Sequence, residues 1–190
     1  GQENARLMDI GAGDSQDGYL IEMVDFFAEG GSFSLVSGSL SGTLEAIRGD
    51  FGLEDGSSGT WTNDLAILIT QEPSFPDSDT APLVQIGGFS HFGAETVIHW
   101  SGGSSDQPID ETIELMSGIE LEEVYVWIGN GWSGGSGTWS GEIELFGLGA
   151  ELLDFQHFDE KALDDTVVLE GVSRSHDSLV GQFDALVLLV

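Results

Sequence analysis

The feature that most constrains the fold is a series of short runs in which apolar and polar residues alternate, separated by glycine-rich segments. The clearest runs are residues 43–51, 122–128 and 142–146. Alternation with a period of two is typical of strands that bury one face, because successive side chains of a strand point to opposite sides. The 28 glycines lie mostly between these runs, where turns need positive φ. The pattern therefore predicts a β-protein with very little helix.

Several further segments read as strands. The candidates are residues 19–27, 32–40, 65–69, 83–86, 96–100, 109–115, 166–169 and 183–190. About ten to twelve short antiparallel strands with turns at this spacing predict a jelly-roll β-sandwich. The domain organisation that follows is an N-terminal arm over residues 1–30 and a sandwich over 31–190. Within the sandwich we expect a core at about 40–148 and acidic C-terminal strands at 149–190, with helical turns only near 157–163.

The charge balance is the second constraint. The chain has 34 acidic residues against four Lys and Arg, a formal net charge of -30, and 40% of its residues are hydrophobic. Such a polyanion is a poor partner for nucleic acid or anionic lipid, and no apolar run reaches the roughly 20 residues that membrane insertion needs. The apolar content predicts a folded chain whose self-repulsion is relieved by salt or bound cations. We therefore expect a secreted or cell-surface protein.

One motif carries a resemblance to a known family. The segment Trp61-Thr62-Asn63-Asp64-Leu65 precedes a strand of Ile and Leu, and Gly137-Thr138-Trp139-Ser140-Gly141 leads into a later strand. Over about residues 40–148 the chain resembles the P domain of proprotein convertases and bacterial subtilisin-like proteases. It looks most like the P-domain-like modules of exported bacterial proteins. The resemblance implies a jelly roll of eight or nine strands that has no catalysis of its own and often binds calcium.

Oxygen ligands in flexible loops also favour calcium. Carboxylate and amide oxygens suit this hard cation, and several lie in Gly- and Ser-rich segments. The predicted calcium ligands are Asp55, Asn63, Asp64, Asp77 and Asp79.

Patterns for catalysis are weak. Glu142 and Glu144 alternate on one strand, as paired carboxylates of glycosidases do, but no second acid-bearing strand with facing Tyr and Trp is identifiable. The four histidines are dispersed without the short spacing of a zinc site. We therefore predict that the chain is not an enzyme.

Two functions remain from the sequence. The first is a structural or surface-assembly protein that joins copies of itself into a filament or matrix by β-strand exchange, with Leu7, Ile10 and Leu20 in the donor segment. The alternative is a carbohydrate-binding module that stacks a polysaccharide on exposed indole rings. Its candidate platforms are Trp100, Trp132 and Trp139.

Overall fold

The structure is a computed structural model that describes residues 5–9, 18–57, 59–77 and 80–150, with the side chains of residues 5–9 and 150 left out. These residues form nine strands and one 3-10 turn. The strands are β1 Ala5–Asp9, β2 Gly18–Glu29, β3 Phe33–Leu35, β4 Leu40–Gly56, β5 Leu65–Thr70, β6 Val84–Gly87, β7 Thr96–Ile98, β8 Ile109–Asn130 and β9 Ser136–Ala150. The prediction of an all-β protein is confirmed. The described part contains no helix long and apolar enough to cross a bilayer.

Strand bounds differ from the sequence pattern in an instructive way. The separate runs predicted at 109–115 and 122–128 are parts of one strand, β8, and the run at 142–146 extends over all of β9. The predicted strand at 32–40 is instead β3 followed by an irregular segment that ends where β4 begins. Predictions for residues 151–190, including the strands at 166–169 and 183–190 and the helical turns, lie outside the described residues.

Pairing follows the order β1-β2-β9-β4-β8-β5-β6-β7, with β3 also paired to β8. All pairs are antiparallel except β6 with β7. The long strand β8 belongs to two groups of strands. Its first part pairs with β4 from Ile109 to Val124, and its last part pairs with β5 from Tyr125 to Asn130.

The register of β4 against β9 shifts near Gly147, where the two backbones come very close. Gly147 has φ +91, and a Cβ at this position would overlap the carbonyl oxygen of Thr43. Only glycine adopts this left-handed backbone without strain and leaves the space free. The glycine therefore permits the bulge between β4 and β9.

Both groups of strands contribute to one hydrophobic core. Its fully buried members include Ile21, Phe26, Ile47, Ile67, Ile86, Ile128, Trp139 and Ile143. Strand β5 is buried at every residue. Its outward face is covered in part by the segment after the strand, whose Phe75 ring lies 5.5 Å from Phe33 and 5.7 Å from Trp127. This cover explains why β5 reads as a continuous apolar run rather than an alternating one.

Candidate functional site

The predicted calcium ligands are distributed over separate turns. Asp55 is exposed near the end of β4, and Asp77 accepts hydrogen bonds from the backbone N–H and hydroxyl of Thr80, both at 3.0 Å. Asp79 lies outside the described residues. Within residues 18–57, 59–77 and 80–149, no three His, Asp or Glu side chains come close enough to hold a metal ion together. Calcium therefore stays a prediction without an assembled ligand set.

Asn63 and Asp64 lie in the 3-10 turn Thr62–Asp64 that precedes β5. The side chain of Asp64 is 3% exposed, and its Oδ2 accepts the backbone N–H of Trp61 at 2.7 Å. Burial raises the pKa of Asp64, while the hydrogen bond from Trp61 lowers it by a smaller amount. This carboxylate serves the backbone of its own turn, as the side chain of a capping residue does.

The three tryptophans predicted to stack on sugars occupy different environments. Trp139 is fully buried and its Nε1 donates to the carbonyl oxygen of Thr62, while Trp100 is 6% exposed and packs edge-to-face on Phe51. Both rings belong to the core, so neither presents a face to a ligand. Trp132 is partly exposed and lies perpendicular to the ring of Phe89, with centroids 5.5 Å apart.

The predicted donor segment is described in part. Leu7 lies in β1 opposite Ile21 of β2, and Leu20 is buried in β2 opposite Met8. Ile10 lies outside the described residues. The register runs from Ala5 opposite Met23 to Asp9 opposite Tyr19. β1 is therefore a terminal strand of the pairing order, and among the described strands it pairs with β2 alone.

A groove of about 400 Å³ opens among the loops that follow the strand ends. Its lining consists of Trp61, Asn63, Gly88, Phe89, His91 and His99. Trp61 is 44% exposed and Phe89 is 65% exposed, which is unusual for aromatic side chains of this size. The His91 and His99 rings are perpendicular, with centroids 5.8 Å apart.

Buried polar side chains hold the loops that form this groove. Gln85, fully buried, donates from Nε2 to the carbonyl oxygens of Gly87 (3.0 Å) and Ser90 (2.9 Å), and its Oε1 accepts the N–H of Phe92 at 3.1 Å. These three hydrogen bonds tie down the loop that carries Phe89 and His91. A buried amide with all its partners in one loop fixes the loop conformation, because leaving any of them unpaired is costly.

Asn130 has the same role in the next loop. It is fully buried, its Nδ2 donates to the carbonyl oxygen of Gly135 at 3.1 Å, and its Oδ1 accepts the N–H of Trp132 at 2.9 Å. Asp64 holds the turn of Trp61 in the same way, so the backbone segments that carry Trp61, Phe89 and Trp132 are each fixed by a buried polar residue. Backbone bonds join the loops as well, from the Gly88 N–H to Asn63 (2.9 Å) and from the Gly131 N–H to Asp64 (2.7 Å).

The outward face of the β2-β9-β4-β8 strands is strongly acidic. Register places Glu22, Glu142, Asp50 and Asp110 directly opposite one another on successive strands. Arg48, whose charge is the only Lys or Arg charge among residues 18–149 with described side chains, lies 2.6 Å from Asp110 and 3.8 Å from Asp50. The hydrogen bond to Asp110 raises the pKa of Arg48.

Glu142 and Glu144, the pair considered for catalysis, project from β9 on this outward face, since Ile143 between them is fully buried. Burial raises the pKa of Glu144, the nearby charge of Glu142 raises it further, and Arg48 lowers it. Their neighbours across the strands are Asp50 and Arg48. The groove and the acidic face are thus distinct surfaces with different chemistry.

Sequence reasoning missed most of the groove. Trp61 heads the motif that carries the family resemblance, yet the predicted stacking platforms are Trp100, Trp132 and Trp139. Phe89, His91 and His99 follow no spacing rule. Of the polar residues that support the loops, Gln85 reads as an ordinary strand position and Asn130 as part of a Gly-rich loop. The single local signal is Gly87-Gly88, two glycines in succession at φ +70 and +80 directly before Phe89, a sign of a tightly constrained turn.

Comparison with known proteins finds no matching family model, no matching curated protein and no matching solved structure.

Proposed function

We propose that this chain is a non-catalytic structural protein, secreted or at the cell surface, that assembles with copies of itself by exchange of strand β1. In this proposal the fold is a jelly-roll β-sandwich of the kind found in P-domain-like modules of exported bacterial proteins. The observation that carries the proposal is the position of β1 at the end of the pairing order, against β2.

Strand β1 suits exchange because the β1 of another copy can pair with β2 in the same register. The β1 of a neighbouring copy has the same sequence and meets the same β2 partners, from Ala5 opposite Met23 to Asp9 opposite Tyr19. Strand donation from one copy to the next propagates into a filament, whereas an isologous pairing closes after two copies. The backbone pairs supply affinity, as in other cases of strand addition.

Exposed apolar side chains of β2 lie next to the β1–β2 pairing and support the proposal that this surface takes part in assembly. Past Met23, β2 exposes Val24 (68%) and Phe27 (51%). Large apolar side chains on an edge region mark association sites. A neighbour that covers them removes apolar surface from water, which stabilises the contact by roughly 25 cal/mol per Å².

The charge of the chain sets the conditions for assembly. Copies that carry a net charge of -30 repel one another at low ionic strength. Salt screens this repulsion, and in our proposal calcium held by Asp64, Asp77 or neighbouring loop oxygens relieves it more efficiently. We therefore expect assembly in salty or calcium-containing water.

Cysteine cross-linking tests the exchange directly, because the chain contains no cysteine. Arg6 lies opposite Glu22 in the β1–β2 register. Protein with Arg6→Cys and protein with Glu22→Cys are mixed, unfolded, refolded together and oxidised. Exchange places the two thiols opposite each other in different chains, within the distance that a disulfide spans. We expect covalent heterodimers.

The matched control replaces Glu22→Cys by Asp50→Cys, an exposed position on the same outward face but two strands further along the pairing order. This mixture should give heterodimers only at the background level. Equal yields from the two mixtures would overturn the proposal. So would wild-type protein that stays monomeric by light scattering at high concentration in molar salt and in millimolar calcium.

A further inference from the structure

The groove among the strand-end loops has the dimensions of a small-ligand site. Its volume is about 400 Å³, within the range of roughly 300–1,000 Å³ that such sites occupy. None of the described groove-lining residues belongs to β1 or to its partner β2, so we treat binding in the groove separately from strand exchange. We propose that it binds an uncharged saccharide, with one pyranose ring seated between Trp61 and Phe89.

The two aromatic rings define the apolar part of the ligand. Trp61 and Phe89 line the groove while keeping 44% and 65% of their surface exposed. One face of a pyranose ring carries C–H groups with partial positive charge, which are attracted to the negative face of an aromatic ring. A sugar is therefore a ligand that covers these rings without needing a wholly apolar pocket.

The remaining lining defines the polar part. Asn63, His91 and His99 place amide and imidazole groups beside the rings. Each can donate and accept hydrogen bonds, which matches the hydroxyl groups around the edge of a sugar. A pyranose ring has both a flat apolar face and an edge rich in hydroxyl groups. The groove has both an aromatic lining for the face and a polar lining for the edge.

Charge selects against acidic ligands. Among the described side chains, none of the groove-lining residues is Asp, Glu, Lys or Arg, although the chain carries 34 acidic residues. An anionic sugar meets no permanent cation there and is repelled by the rest of the molecule. The geometry thus points to neutral polysaccharides rather than to uronic-acid or sulfated ones.

The groove is formed before any ligand arrives. Gln85 fixes the Phe89–His91 loop through three hydrogen bonds, and Asp64 fixes the Trp61 turn. Asn130 accepts the backbone N–H of Trp132, whose ring packs edge-to-face with that of Phe89. Gly88, at φ +80, lets the loop backbone lie against Ala66, where a Cβ would come within 2.9 Å of the Ala66 Cβ. Binding to such a surface costs little ordering of loops or side chains.

Native affinity electrophoresis tests the proposal on the full chain. The gels contain one soluble polysaccharide each: hydroxyethylcellulose, arabinoxylan, galactomannan or mixed-linkage β-glucan as neutral probes, and alginate as the anionic probe. We expect at least one neutral polysaccharide to retard the wild-type protein and alginate to leave it unretarded. Phe89→Ala and Trp61→Ala each remove a wall, and we expect either variant to bind the retarding polysaccharide about tenfold more weakly.

The control is Phe27→Ala, which removes an exposed ring from β2, outside the groove lining. This variant should be retarded like wild type while weakening self-assembly, and Phe89→Ala should assemble normally. Circular dichroism verifies that all variants are folded. Absence of retardation by every neutral probe, equal retardation of all variants, or stronger retardation by alginate would each overturn the proposal and leave strand exchange untouched.

Discussion

At the scale of single residues, the buried polar side chains are the most informative group. The buried polar residues of the described chain are Thr60, Thr62, Asp64, Thr70, Gln85 and Asn130. Asp64, Gln85 and Asn130 all direct their hydrogen bonds to the backbone of loops around the groove. Burying a polar group is unfavourable unless it forms hydrogen bonds. These residues therefore fix the conformation of the loops at some cost in stability.

The difference in unfolding free energy between Asp64→Asn and wild type is predicted to shift in favour of the variant as pH rises from acid to neutral. Burial raises the pKa of Asp64 in the folded state, whereas the unfolded chain has an ordinary Asp pKa of about 3.9. Between these two pKa values the folded chain holds a proton that the unfolded chain has lost. Wild type therefore loses stability from this group as pH rises through that window. Asn keeps an oxygen for the Trp61 N–H and has no charge to desolvate.

Urea unfolding of wild type and Asp64→Asn from pH 3.5 to pH 7 measures the difference. The advantage of the variant should grow with pH and then level off. Asp55→Asn, which removes an exposed carboxylate, is the control and should show no such growth. A difference between Asp64→Asn and wild type that is constant, or that shrinks with pH, would show that the carboxylate is not destabilised by burial.

Gln85→Leu is predicted to lower the free energy of unfolding by about 1–3 kcal/mol, because it leaves carbonyl and N–H groups of the 87–92 loop without partners. The side chain is fully buried, and the hydrogen bonds lost join it to Gly87, Ser90 and Phe92. Denaturant titration gives the value. Gln71→Leu, at an exposed position just after β5, should change stability little. Matching losses for the two variants would contradict the role of Gln85.

At the scale of elements, the strands were predictable and their continuity was not. Alternation identified β4, β8 and β9 because their inward residues, such as Ile47, Val126 and Ile143, recur at every second position. The run Met116-Ser117-Gly118 interrupts this pattern, and Met116 is fully exposed within β8. The register with β4 is interrupted over this stretch, since Ala46 lies opposite Glu114 and Leu44 opposite Ile119, and the pairing on both sides keeps it within one strand despite its local sequence.

The groove was beyond prediction for a related reason. His91 and His99 lie on either side of the short strand β7, and Trp61 belongs to a turn that precedes β5. Only the β5-β6-β7 pairing brings these loops to one place. Conversely, Trp100 and Trp139 resemble Trp61 in their Gly-rich surroundings, and no local pattern separates a core indole from a surface one.

Gly147→Ala is predicted to destabilise the β4–β9 pairing by about 2–4 kcal/mol, since it combines left-handed backbone strain with overlap on the Thr43 carbonyl. Gly149→Ala, two residues further along β9, is the matched control. A Cβ at Gly149 meets nothing within 4 Å, and its backbone is not left-handed. Thermal unfolding of both variants checks the prediction. Similar melting temperatures for the two would mean that the close approach at Gly147 relaxes at little cost.

At the scale of the whole molecule, we expect electrostatic repulsion to dominate the response to solution conditions. The chain carries a formal charge of -30, and the row of Glu22, Glu142, Asp50 and Asp110 places like charges opposite one another across four strands. Like charges in that position are destabilising. Arg48 offsets part of the repulsion at one end of the row.

Melting curves in chelator, in molar sodium chloride and in millimolar calcium are therefore expected to separate. Salt should raise the melting temperature by screening the acidic face. Calcium should raise it more than an equal ionic strength of sodium chloride, through binding to the folded state. Asp77→Asn and Asp64→Asn are the variants in which the calcium increment should fall. If calcium and sodium chloride act alike at equal ionic strength, no specific calcium site exists.

The double membership of β8 has a consequence for how the molecule could be divided. Because Ile109–Val124 pairs with β4 and Tyr125–Asn130 pairs with β5, one continuous segment is common to both groups of strands. Neither group of strands can be cut out as a fragment that folds by itself, because any such cut either divides β8 or removes it from the other group. A backbone cut inside β8 should abolish folding, whereas a cut in the exposed Ser133–Gly134 turn leaves two pieces able to recombine.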